Sequence, residues 1–287
     1  MTEPITKLVP KFIESLSEKG RSPATILAYR ADLEQLSDYL IKRGKVTLEL
    51  VATSDLEGFR DSLLAEKYTP KSASRKLNAI KTFFRWAKQN GHSQRDPSKD
   101  VSHPKIDPSV PKYLSKLEYR ALRDVVRGDP RIAAIVELIL QTGMRISEVA
   151  NLKLENAGGE EIVIEAHATQ PERKIPLNKP ARDALKEYIK SERPDTSSAY
   201  LFVSKNGKPL AVRNIRAAID RYMQKAEING YSVNDLRTTF IVENLKAGVD
   251  LVLISQVVGH KRLSTTERYL ELAEVKEPGK KQTLEEL

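Results

Sequence analysis

Apolar positions recur at helical spacing through the first hundred residues. Val9, Phe12, Ile13 and Leu16 share one face of a first short helix. Ser22 followed by Pro23 has the form of an N-cap with proline at the first helical position. Tyr29, Leu33, Leu36 and Leu40 continue that helix, and Gly44 closes it. Ser54 is expected to open a third helix carrying Leu56, Phe59, Leu63 and Leu64. A fourth is predicted over residues 72–90, closed by Gly91. Residues 1–100 thus form a compact four-helix unit. Pro97, Pro104, Pro108 and Pro111 follow closely. Proline lacks an N–H and disfavours helix before it, so residues 101–112 are expected to be an extended linker.

The second domain is predicted over residues 113–273. Ser115 and Glu118 have capping-box spacing, so a helix begins there. A strongly apolar helix over 131–141 ends at Gly143. Residues 161–165 and 174–177 read as a β-hairpin with a long turn. Helices resume over 181–191 and 215–226 and continue to about residue 272. The fold class is therefore mainly α with a small β-sheet. A tail over 274–287 remains, in which residues 283–286 have the spacing to cap a short final helix.

Composition narrows the classes. A chain of 287 residues is long for one core and comfortable for two. No run of 18 apolar residues exists, so no membrane-spanning helix is expected. The N-terminus has no basic region leading into an apolar stretch, so no secretory signal is expected. The absence of cysteine excludes disulfides and zinc–thiolate sites and fits a reducing, cytoplasmic setting. A net charge of +9 points toward a polyanion such as nucleic acid. The fourth helix sharpens that. At 100° per residue, Lys71, Arg75, Lys81, Arg85 and Lys88 fall within a sector of about 140°. Leu77, Ile80, Phe83, Phe84 and Ala87 lie opposite, and Lys76 is the one cation on the apolar side. A cationic ridge without acidic neighbours is what a helix facing phosphates needs.

Three segments carry candidate chemistry: Thr142-Gly143-Met144-Arg145-Ile146-Ser147-Glu148, Asn234-Asp235-Leu236-Arg237-Thr238-Thr239-Phe240, and Val258-Gly259-His260 with Tyr269 nine residues after the histidine. Singly, such residues have bland readings: a surface arginine, a histidine in local hydrogen bonds, a half-buried tyrosine on a helix. In this order and spacing they resemble the tyrosine recombinase family of Xer proteins and phage integrases. That family carries T-G-x-R-I-S-E, H-x-L-R-H-T-F and L-G-H followed by Y. The resemblance runs from about residue 5 to 273. It includes residues 201–210, similar to the family's linker before a DNA-facing helix.

The resemblance implies a SAM-like four-helix core-binding domain and a mixed α/β catalytic domain, clamped around duplex DNA. The implied function is that of a site-specific recombinase or integrase, cleaving and rejoining duplex DNA through a 3′-phosphotyrosyl intermediate. Arg145 and Arg237 match the positions that grip the two non-bridging phosphate oxygens. Guanidiniums suit that task because they neutralise charge developing on a pentacovalent transition state. Tyr269 matches the nucleophile and His260 the residue that bonds the phosphate or takes the tyrosine proton, while Glu148 is expected to orient the site or cap its helix. A phosphotyrosyl ester conserves bond energy, so no cofactor or metal is expected. Arg213 and Arg216, with Arg221 and the fourth helix, are the expected DNA faces, with contacts chiefly to phosphate. Double-stranded target DNA is the implied partner, with a dimer on one site, a tetramer at synapsis, and the C-terminal segment docking on a neighbour. No extra arm-binding domain is expected, which favours an Xer-like or resolvase-like role.

Two departures accompany the match. The family's first box-two histidine aligns with Asn234, which bonds a phosphate oxygen but shuttles no proton, and a nearby histidine position aligns with Thr238. The hairpin lysine that protonates the leaving 5′ oxygen aligns with Ala168. His167 is the candidate replacement acid, since phosphate raises an imidazole pKa. Lys174 lies past the turn, on a strand face fixed by alternation. The alternative reading is a DNA-binding relative with weakened or lost cleavage. A second rival is a type IB topoisomerase, which shares the nucleophile.

Overall fold

The structure is a computed structural model and describes residues 3–107, 110–166, 170–275 and 279–287. The chain divides into two units, Met1–Pro108 and Ser109–Leu287. In the first, helices α1 (Ile5–Glu18), α2 (Pro23–Ile41), α3 (Thr53–Ala65) and α4 (Pro70–Gln89) enclose a core of Phe12, Leu33, Leu36, Leu56, Phe59, Phe83 and Phe84. The Ser22 hydroxyl accepts from the Thr25 amide at 3.2 Å, as the Ser-Pro pair predicts. Thr69-Pro70 repeats the device, since Thr69 accepts from the Ser72 amide at 3.2 Å; the fourth helix therefore starts two residues before the expected 72. In α3 the cap position is Ala52 and not Ser54: the Asp55 carboxylate accepts the Ala52 amide at 2.8 Å, so an acid at the third helical position satisfies the free donor.

The proline-rich stretch is not free along its whole length. Val101 is buried in the first unit's core. Lys81 donates to the Val101 carbonyl at 2.7 Å, Arg60 to the Ser102 hydroxyl at 2.8 Å, and Ser74 pairs with His103 Nδ1 at 2.9 Å. Proline sets the extended form, and side chains from α3 and α4 then bind its polar groups as a strap.

In the second unit, α5 (Lys116–Val126) begins with the expected capping box: Ser115 accepts from Glu118 N at 3.3 Å, and Glu118 accepts from Ser115 N at 2.7 Å. Helix α6 (Pro130–Thr142) is buried on nearly all sides and is the spine of this unit. It ends at Gly143, whose φ is 61°. A Cβ there would run into Phe240 and Val258, so only glycine fits. Helix α7 (Ile146–Asn151) follows, then strands β1 (Glu161–Ile164) and β2 (Arg173–Pro176), paired antiparallel with Ile162 opposite Ile175 and Val163 opposite Lys174. Helices α8 (Lys179–Ser191), α9 (Val212–Lys225), α10 (Val233–Lys246), α11 (Leu251–Val258) and α12 (Ser264–Glu267) complete the element order.

Described tail residues lie against their own unit. Asp250 N donates to the Lys281 carbonyl at 2.8 Å, Glu285 N to Asn244 Oδ1 at 2.8 Å, and Arg123 to the Leu287 carbonyl at 2.8 Å. Leu284 and Leu287 pack on the core, and the helix expected over 283–286 does not form. Among the described residues the fold is mainly helical with one two-stranded sheet. Among the described residues, no helix is long and apolar enough to cross a membrane.

Candidate active site

Gly143 turns the chain so that Arg145 becomes the N-cap of α7, with Glu148 three residues on. The Glu148 carboxylate accepts the Arg145 amide at 2.8 Å and the Arg145 guanidinium at 2.9 Å. The same guanidinium donates to the Val258 and Gly259 carbonyls at 3.3 and 2.8 Å. Arg237, one turn into α10, donates to the Val258 carbonyl at 2.9 Å and to the Gly143 carbonyl. Both arginines are thus anchored at the C-terminal end of α11, where unpaired carbonyls and the negative end of the helix dipole receive cations. Burial, and after it the Arg145 charge, lowers the Arg237 pKa to about 10; it stays a cation at neutral pH.

The chain leaves α11 through Gly259, at φ 68°, and places His260 beside this pair. His260 N donates to the Ser255 carbonyl at 2.9 Å, and its Nδ1 is 2.8 Å from the Thr266 hydroxyl. Its ring lies nearly parallel to that of Tyr269, 9° apart with centroids 6.2 Å away. Burial, followed by the charges of Arg237, Arg145 and Arg173, lowers its pKa to about 4, so the imidazole is neutral at pH 7.

Tyr269 is not on a helix, although helices were expected to continue to about residue 272. Helix α12 stops at Glu267, and Tyr269 sits in the turns that follow, its amide donating to the Thr266 carbonyl at 3.0 Å. A cavity of about 390 Å³ is lined by Arg145, Ser147, Asn234, Arg237, Thr238 and Tyr269. The structure therefore gathers Arg145, Arg237, Asn234 and Tyr269 on one cavity and stacks His260 on the tyrosine. The Thr238 hydroxyl donates to the Asn234 carbonyl at 3.2 Å, and Asn234 is exposed.

His167 and Ala168 lie outside the described residues. Lys174 is on the exposed face of β2, as alternation requires. Its neighbour Arg173 faces inward with Ile175, and sequence reasoning passed it over. Arg173 donates to the Val257 carbonyl and to Glu148, each at 2.8 Å. Burial pushes the Glu148 pKa up, yet hydrogen bonds from Arg173 and the Arg145 amide, with both guanidinium charges, hold it below the ordinary carboxylate value. The available signal was parity: an arginine two residues before a core isoleucine on a strand points the same way.

The cationic ridge of α4 is not free of acid. Asp32 of α2, 1% exposed, accepts both arms of Arg75 at 2.6 and 2.8 Å and the Lys76 ammonium at 2.9 Å. Lys81 is taken up by the strap. Lys71, Arg85 and Lys88 stand exposed. On α9, Arg213, Arg216 and Arg221 are exposed opposite the buried Ile215 and Ile219.

Residues 112–275 match the phage integrase family, and residues 9–91 match the phage integrase N-terminal SAM-like domain. The chain is 29% identical over 277 residues to tyrosine recombinase XerC of Roseiflexus castenholzii, spanning 92% of this chain and 88% of that one. It is 30% identical over 267 residues to tyrosine recombinase XerC of Lactobacillus delbrueckii subsp. bulgaricus, spanning 88% and 90%. In fold it resembles the crystal structure of a lambda integrase dimer bound to a COC′ core site, with TM-score 0.76 and 16% identity over 98% of this chain and 80% of that one. A SAM-like helical domain and a mostly helical catalytic domain define the class of tyrosine-type strand-exchange enzymes. The chain belongs to the phage integrase family, and its function is that of a site-specific tyrosine recombinase.

Proposed function

We propose that Arg145 and Arg237 bind the two non-bridging oxygens of a DNA phosphodiester in the 390 Å³ cavity, and that Tyr269 attacks its phosphorus. The bond from the tyrosine oxygen to phosphorus forms as the bond to the 5′ oxygen breaks, leaving a 3′-phosphotyrosyl link and a free 5′ hydroxyl. His260, neutral beforehand, takes the phenolic proton, and its basicity rises once the phosphate offsets the three guanidiniums around it. Asn234 bonds the phosphate, and His167 donates the proton to the leaving oxygen. The observation that supports this reading best is that Arg145 and Arg237 share the Val258 carbonyl and open onto the same cavity as Tyr269.

Arg213 and Arg216 on α9, with Lys71, Arg85 and Lys88 on α4, contact phosphates of the target duplex in this reading. Arg75 and Lys81 contribute less, because their donors are engaged within the protein. Lambda integrase is described as a dimer on a core site and as a tetramer on a Holliday junction. For this chain the proposal is likewise a dimer on one site and a tetramer at synapsis, in the cytoplasm. Residues 1–100 would bind DNA and 113–273 catalyse.

The test uses a duplex enriched from a random-sequence pool by binding to the protein. A version nicked so that cleavage cannot be reversed is incubated with the wild type and with Tyr269→Phe, in chelator. A covalent protein–DNA band that needs Tyr269 is expected. Tight binding with no covalent band would overturn the reading and leave a DNA-binding relative.

A further inference from the structure

Three guanidiniums, and not two, converge on the last carbonyls of α11. Arg173 binds the Val257 carbonyl, Arg145 and Arg237 bind that of Val258, and Arg145 also binds that of Gly259. Arg173 comes from β2, with 11% of its side chain exposed, so it is poorly placed to meet a DNA backbone itself. It is also the only link from the hairpin to Glu148 among the described residues. Glu148 accepts three donors: two from Arg145 and one from Arg173. A carboxylate held on one side by Arg173 offers Arg145 a fixed surface on the other. Gly259 shows how close the fit is. A Cβ at that residue would stand 3.0 Å from the guanidinium carbon of Arg173. The left-handed φ of 68° favours glycine, and a side chain there would also press on the Arg173 guanidinium, immediately before His260.

We propose that Arg173 is a positioning residue for the transfer step: by bonding Glu148 and the end of α11 it holds the Arg145 guanidinium, and the turn that presents His260, in the orientation the phosphate needs. This rests on the recombinase reading above. Arg173 touches neither the phosphate nor the nucleophile; it acts through Glu148 and through backbone. Lysine does not replace it. One ammonium cannot reach a carboxylate and a carbonyl in the fixed, planar fork that a guanidinium presents.

The experiment compares wild type, Arg173→Lys, Arg173→Met, Glu148→Gln and the Arg173→Met/Glu148→Gln pair, each first shown to be folded by its melting transition. With saturating nicked duplex, Arg173→Met should form the covalent complex about a hundredfold more slowly, the cost of a small misplacement at a reacting centre. Duplex affinity should stay within about threefold of wild type, since the side chain makes no phosphate contact in the clustered arrangement. Arg173→Lys should recover only part of the rate. The double variant should be no slower than the slower single one, because both remove the same support. An unchanged rate, a loss confined to duplex affinity, full recovery with lysine, or losses that simply multiply would each overturn the proposal. If the wild type itself forms no covalent complex, the recombinase reading fails, and Arg173 is then judged without DNA. In ¹⁵N spectra, inorganic phosphate should shift the Arg145 Nε–H signal in wild type and not in Arg173→Met. Equal shifts in both would overturn it.

Discussion

The Nδ1 atom of His260 lies 2.8 Å from the hydroxyl of Thr266, a residue with no exposed surface. One ring nitrogen is thereby committed to the protein, which leaves Nε2 as the atom to exchange a proton or bond with substrate. Thr266 is also the residue whose carbonyl accepts the Tyr269 amide. A single buried threonine thus engages Nδ1 of the imidazole and begins the turn that carries the nucleophile. Thr266→Val preserves shape and removes the hydroxyl. It is expected to slow covalent-complex formation about tenfold, the lower end of what loss of an orienting hydrogen bond costs, and Thr266→Ser should restore most of the rate. Single-turnover kinetics on the nicked duplex checks this.

The same histidine links stability to pH. Its pKa is about 4 in the folded chain against 6.5 ordinarily, because it is buried and faces Arg237, Arg145 and Arg173. Between those two values the unfolded chain binds a proton that the folded chain does not. Stability therefore rises with pH across that window and is lost as pH falls from about 6.5 toward 4. Carboxylates add their own acid dependence, so the informative quantity is a difference. His260→Gln should lose less stability than wild type between pH 7 and pH 5 in urea unfolding. An equal loss in both proteins would show that His260 titrates normally.

How far the chain was legible follows from which contacts are local. Ser22-Pro23, Ser115 with Glu118, and Gly143 at the end of α6 are signals within one turn of the residues they organise, and each stands where its pattern placed it. The hairpin is recovered from alternation alone. The arrangement of Arg145, Arg237, His260 and Tyr269 was reached through spacing that resembles a family, since nothing in a single segment places α11 beside α7. What stayed hidden joins distant positions. Asp32 meets Arg75 from a different helix, and a helical wheel drawn for α4 contains no α2. Arg173 reaches Glu148 across 25 residues. Helix was expected to continue to about residue 272, yet α12 stops after four residues and Tyr269 lies in the turns beyond it.

Crowding of positive charge in the site gives a prediction that needs no target sequence. Arg237 is held with its pKa lowered to about 10, in part by Arg145, so an anion bound between them relieves a standing repulsion. Inorganic phosphate should therefore stabilise the fold. At ten times its dissociation constant the gain is about 1.4 kcal/mol. Calorimetric melting in phosphate against an uncharged buffer of equal ionic strength would show it. Arg145→Gln should abolish the increment while leaving the melting curve in the uncharged buffer cooperative. An equal increment in the variant would place the phosphate elsewhere.

The α4 face separates cations that are free from cations already in use. Lys71, Arg85 and Lys88 are exposed, whereas the Lys81 ammonium is bonded to the Val101 carbonyl at 2.7 Å and the Arg75 guanidinium to Asp32. A free cation that meets a phosphate releases condensed counterions, and one that stays on a protein acceptor releases none. Removing one cation that pairs with a phosphate should reduce the slope of log affinity against log salt by about one. Arg85→Gln is expected to lower the slope by that amount and weaken binding to all duplexes alike. Lys81→Gln should leave the slope in place and instead loosen the strap, exposing the backbone around Val101 to faster amide exchange. Titrations of one duplex at several salt concentrations, with hydrogen exchange on the free protein, would separate the two. If Lys81→Gln lowered the slope as Arg85→Gln does, the strap would have to give up Lys81 on binding, and the ridge expected from the helical spacing of α4 would be the surface that meets DNA.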